Sequence, residues 1–180
     1  MTFQTTVTNV LLNLGVPGDI ILDEPHRIQP VTLDGTGGSI GNVFTKDATT
    51  GIATQGGAIG SGNKVFAGIA VLPKQEPHFG SGATDPLSAS LILEPNSQVA
   101  MMTFGSCVAN IPNAFKVGDV VIYNTTTGAL ASMAPNASLP GGYAQVPSCL
   151  VYGIPGFAGG PEGDASSEGG LAIIRLTSQA

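Results

Sequence analysis

A chain of 180 residues fits one domain or two small ones, with enough length to bury about two-thirds of the surface it exposes when unfolded. Six basic residues stand against twelve acidic ones, a net charge of −6, and Arg27, Lys46, Lys64, Lys74, Lys116 and Arg175 never cluster. That excludes the basic face that nucleic-acid phosphates or an anionic membrane would require. Charged residues make up 10% of the chain, where a free-standing domain surface usually needs roughly 25 to 35% to resist association. Much of this surface is therefore expected to be covered, by copies of the chain or by a larger lattice.

Helical periodicity is cut by Gly or Pro almost everywhere, and what remains is a succession of short, β-branched runs between turn clusters. The first, Thr5 to Leu12, overlaps a segment (7–16) whose Asn9 and Asn13 and lack of a preceding basic residue argue against a cleaved leader. No run reaches the roughly 20 apolar residues of a membrane-spanning helix. Residues 1–17 read as an extended N-terminal arm. Asp19 to Asp23 and Arg27 to Leu33 follow; Pro25 and Pro30 leave room for one short strand at a sheet edge, with Ile28 inward. Strands are then expected at Asn42 to Lys46, Lys64 to Leu72, Ala89 to Leu93, Gln98 to Phe104, Asp119 to Asn124, Ser148 to Ile154 and Leu171 to Leu176.

Two Thr-Thr-Gly turns, at 49–51 and 126–128, place Gly51 and Gly128 where a hairpin needs positive φ. The flanking phrases FTKDATTGIA (44–53) and VIYNTTTGAL (121–130) echo one another as strand, polar turn and second short strand. Residues 73–86, with three prolines and two glycines, and 155–170, about half Gly and Pro, read as irregular loops. The whole is an all-β chain: one compact β-barrel or β-sandwich of about ten short strands, with long Gly/Pro-rich loops and extended termini.

The supply of chemistry is thin. His26 lies near Glu24 and Asp23, a carboxylate and imidazole pair in principle, but Pro25 intervenes and a solvated loop histidine is the favoured reading. Cys107, in the segment GSC, has no local base; with Cys149, 42 positions on, it reads as a small buried hydrophobe and not half of a disulfide. Metal-ligand spacings, phosphate-cradling glycine loops and nucleophile elbows do not occur, so no catalytic, metal or cofactor residue is assigned. With no Trp and three Tyr (Tyr123, Tyr143, Tyr152), stacking platforms for sugars are scarce. Partner contacts are assigned instead to the charge-free N-terminal residues Thr2, Phe3, Gln4 and Thr5, and to His78, Phe79 and Phe157 in the two loops, where an aromatic held outward can anchor a partner pocket.

MTFQTTV at the N-terminus, GVPGDIILDEP (15–25) with the following RIQP, VGDVVIYNTTTGAL (117–130) and the closing LAIIRL (171–176), in this order, resemble the structural cement, or head decoration, proteins of tailed bacteriophages. The resemblance covers most of the length. It implies a non-enzymatic protein that assembles in the host cytoplasm, binds the outer surface of the phage head and holds neighbouring major capsid subunits together. It also implies a self-associating protein, a homotrimer in preference to a dimer, with the major capsid protein lattice as partner. The loop at 155–170 is longer and more acidic than the family pattern and takes no role from it. The alternative is another virion β-domain, tail- or fibre-associated, with a tail part or a glycan as its partner.

Overall fold

The computed structural model describes residues 16–21, 24–72, 92–154, 165–166 and 168–177. Thirteen strands run through them: β1 (Arg27–Thr32), β2 (Gly38–Ser39), β3 (Val43–Asp47), β4 (Ala53–Gln55), β5 (Lys64–Ala70), β6 (Ile92–Leu93), β7 (Gln98–Ile111), β8 (Phe115–Lys116), β9 (Val120–Asn124), β10 (Leu130–Met133), β11 (Tyr143–Gly153), β12 (Ala165–Ser166) and β13 (Gly170–Leu176). No helix occurs among the described residues, and the all-β expectation holds.

The 14-residue β7 organises the molecule. Its first part is flanked by β1 and β5, and its second part pairs with β13, all antiparallel. The order β10-β9-β11-β13-β7-β5-β3-β4, with β1 also on β7, makes one nine-stranded sheet; β2–β6 and β8–β12 form two small ones. Ahead of β1, Gly18 N and Ile21 N donate to Val108 O and Ser106 O of β7 (2.8 and 3.0 Å). At the far side the β9–β10 turn folds onto the β3 and β4 region, where Val43 N donates to Gly128 O at 2.9 Å and Gly57 N to Thr125 O at 2.6 Å. The strands therefore curl round until the two ends of the sheet order meet.

Burial follows from the period-two geometry of strands. Along β13, Ala172, Ile174 and Leu176 point inward while Leu171, Ile173 and Arg175 alternate outward. In β3, β5 and β7, neighbouring residues are both buried: Val43 and Phe44, Ile69 and Ala70, Met102 and Met101. The first of each pair joins the main core with Tyr123, Val146 and Ile174, and the second joins a smaller core with Val31, Leu33 and Val99. This half of the sheet is covered on both faces, which is why FAGIA in β5 is a continuous apolar run.

β1 sits at an edge, pairing with β7 alone, and Ile28 packs against the main core as expected. Two strands exceed their expected lengths. β7 continues past Phe104 to Ile111, because seven residues of β13 pair with it from Gly105 onward. β11 begins at Tyr143 and crosses Pro147 through a bulge, with Ser148 at φ 48°, so the ladder resumes on the far side of a residue that cannot donate.

Both Thr-Thr-Gly turns form, and they form alike. Asp47 Oδ1 accepts the N–H groups of Thr49 and Thr50 (2.7 and 2.9 Å), and Asn124 Oδ1 accepts those of Thr126 and Thr127 (2.9 and 3.1 Å). Gly51 N and Gly128 N each return to the carbonyl of the first turn residue at 2.8 Å, with φ of 73° and 69°. A side chain that caps its own turn explains why Asp and Asn occupy the same position in the echo.

Candidate functional site

The seven residues assigned to partner contacts from sequence, Thr2, Phe3, Gln4, Thr5, His78, Phe79 and Phe157, all lie outside the described residues. The described surface offers a different constellation, on the outward faces of β11, β13 and β7. Alternation turns Leu150 and Tyr152 of β11 away from the core, 44% and 49% exposed. Leu150 pairs with Arg175 of β13, which leaves Tyr152 on the diagonal. The Arg175 guanidinium lies 3.5 Å from the Tyr152 ring centroid, a cation–π contact on a half-exposed aromatic.

Behind that pair, Arg175 forms an ion pair with Glu24, and its Nε donates to Ser106 Oγ at 3.2 Å. Ser106 Oγ in turn donates to the Glu24 carboxylate at 2.5 Å. The Ser106 hydroxyl, supported further by Arg175, holds the Glu24 carboxyl below its ordinary value against the desolvation that would raise it. An open cleft of about 320 Å³ adjoins the cluster, lined by Glu24 and Pro25, by Phe104 and Gly105 of β7, and by Arg175, Leu176 and Thr177. Gly105 is required there: at φ 115°, a Cβ would meet the His26 Cβ at 2.7 Å.

Chemically the cluster offers an ion pair, a cation–π contact and exposed apolar area. Glu24 is engaged by Ser106 and Arg175, while exposed His26 turns its Nδ1 to the Glu24 carbonyl at 3.1 Å, so the two do not form a carboxylate and imidazole pair. Ser106 spends its proton on Glu24. Cys107 and Cys149 are free and buried, and burial pushes the Cys107 thiol up to about 12, far from a thiolate. No cluster of three or more His, Cys, Asp or Glu side chains suited to a metal occurs among the described residues.

The family model described as "Structural cement protein (E217 gp24/Pam3 gp6)" matches residues 3–177. The chain belongs to the structural cement protein family. It is a capsid-stabilising structural protein of a bacteriophage. Among solved structures it is similar to a chain of "The capsid of Myoviridae Phage XM1", with a TM-score of 0.59 and 15% identity over 98% of each chain, a likeness of fold. No curated protein matches the sequence. Nothing in these comparisons favours the tail- or fibre-associated alternative.

Sequence reasoning passed over the Glu24, Ser106, Arg175 and Tyr152 cluster of this cement protein. Glu24 and Arg175 are 151 positions apart, and in the sequence Tyr152 reads only as one of three scarce stacking platforms. A signal was available in LAIIRL, whose alternation sets Arg175 on the outward face of an otherwise apolar strand.

Proposed function

We propose that this cement protein sits on the outer surface of the phage head as a homo-oligomer, a trimer in preference to a dimer, and clamps neighbouring major capsid subunits without catalysis. It would assemble in the host cytoplasm and take no metal or cofactor. The observation that carries the reading is the family match across 3–177. The physics is consistent with it. A clip that binds only the assembled shell stabilises it by mass action, in proportion to how far its concentration exceeds its dissociation constant. Local symmetry axes of a shell favour closed oligomers. Leu150 and Tyr152, anchored by Arg175, supply the aromatic and aliphatic area from which tight contacts are usually built. The N-terminal residues 1–6, with Phe3, and the loop residues His78, Phe79 and Phe157 are proposed as further contacts with the shell or with a neighbouring copy.

The test is the thermal stability of DNA-filled heads stripped of this protein and then reloaded with it. Reloading should raise the temperature at which DNA escapes. Heads that rupture at the same temperature bare and saturated would overturn the reading. A chain lacking residues 1–6 should show reduced occupancy; unchanged occupancy removes the N-terminal arm from the interface.

A further inference from the structure

The two Thr-Thr-Gly turns share one set of internal hydrogen bonds in two different settings. The Asn124–Gly128 turn is docked inside the molecule. Its carbonyls point at donors: Thr125 O accepts from Gly57 N at 2.6 Å, Gly128 O from Val43 N at 2.9 Å, and Thr127 O from Gln55 Nε2. Gly128 is buried, and a Cβ there would meet Val43 O at 2.5 Å and Gly56 N at 3.0 Å.

The Asp47–Gly51 turn has the same internal hydrogen bonds and no such seat. Ala48, Thr49, Thr50 and Gly51 are exposed, and a Cβ on Gly51 would find nothing within 4 Å. The corresponding carbonyls, of Ala48, Thr50 and Gly51, accept from no N–H among the described residues. Where the docked turn is followed by Ala129, this one is followed by Ile52, a large aliphatic 43% exposed. A carbonyl tip preorganised by its own side-chain cap loses little freedom on docking, and a flanking exposed aliphatic adds apolar area to the contact.

We propose that Asp47–Ile52 docks into a strand edge of the capsid subunit. That edge would carry unpaired backbone N–H groups, glycines that allow close approach, and a carboxamide side chain, as the seat formed by Val43, Gln55, Gly56 and Gly57 does for the twin turn. A second copy of this chain is not the occupant, because each copy's seat is already filled by its own Asn124–Gly128 turn. The inference rests on the reading of this protein as one that binds the shell.

Thr49→Cys provides the test, since Cys107 and Cys149 are buried and leave the new thiol as the reactive one among the described residues. Its rate of reaction with a maleimide is measured on the free protein and on decorated heads, and binding of the polymer-maleimide adduct to bare heads is measured beside the unmodified protein. The expected result is a rate at least about tenfold slower on the head and loss of binding by the adduct. Equal rates on and off the head, with the adduct binding normally, would overturn the turn as a contact while leaving shell binding intact. Failure of the unmodified protein to bind heads would instead overturn the cement reading, and the docking inference with it.

Discussion

Glu24 shows how one side chain can link distant parts of this chain. It accepts from Ser106 of β7 and pairs with Arg175 of β13, tying the approach to β1 onto the sheet's outer face. Its carboxyl is lowered from an ordinary value of 4.5, so the folded state holds this proton more weakly than the unfolded state does. The stabilisation is present above about pH 4.5 and is lost as pH falls through the folded value. Glu24→Gln should therefore reduce the fall in urea midpoint between about pH 6 and about pH 3. Only part of the acid sensitivity should go, because Asp34 and Asp47 are also lowered, the latter by the N–H groups of Thr50 and Thr49. An unchanged pH profile would show that Glu24 does not couple folding to protonation. The thiols carry a second expectation. With Cys107 pushed to about 12 and Cys149 also raised by burial, neither should react with a thiol reagent at neutral pH until the protein unfolds. Reaction of either in the native protein would contradict their place in the core.

At the scale of elements, the paired hairpins separate intrinsic turn strain from docking. Gly51→Ala and Gly128→Ala both place a Cβ at a φ near 70°, costing about 1 to 2 kcal/mol. Only Gly128→Ala also drives that Cβ against Val43 O and Gly56 N, adding about 1 to 3 kcal/mol of overpacking. Urea unfolding should find Gly128→Ala clearly the less stable; equal losses would mean that the docked turn yields without cost. These hairpins were legible in sequence because their chemistry is local: a capping Asp or Asn, two threonines, then Gly. The edge position of β1, signalled by Pro25 and Pro30, was legible for the same reason, although the strand runs through Pro30 to Thr32. What local pattern could not show is where tertiary pairing overrides a breaker. Gly105 reads as the end of a strand, yet β13 pairs with β7 straight past it. Pro147 reads as a boundary, yet a bulge carries β11 across it. The outer-face cluster stayed hidden because Glu24, Ser106 and Arg175 meet only once β7 and β13 are paired, and no spacing within the chain encodes that meeting.

At the scale of the whole molecule, the curled sheet buries apolar residues on both faces of its β3, β5 and β7 half, so apolar side chains from both faces of these strands are committed to the fold. Among the described residues, what is left for a partner is a sparsely charged polar surface broken by single aliphatics and by the Tyr152–Arg175 pair. Such a surface has a consequence for how it should hold a shell. Ionic contacts between exposed groups weaken as added salt shortens the screening length, from about 10 Å at 0.1 M to about 3 Å at 1 M. Contacts made by backbone carbonyls, hydroxyls and aliphatic area are largely insensitive to that screening. With 10% charged residues and six dispersed cations, this protein has few ion pairs to offer, and Arg175 is already paired within the chain. Its dissociation constant from heads should change by less than about threefold between about 0.05 M and about 0.5 M sodium chloride. Titrating the protein onto bare heads at several salt concentrations measures this directly. A tenfold or greater loss of affinity over that range would mean that charge complementarity holds the protein in place, and that its scarcity of charge is not what suits it to the lattice.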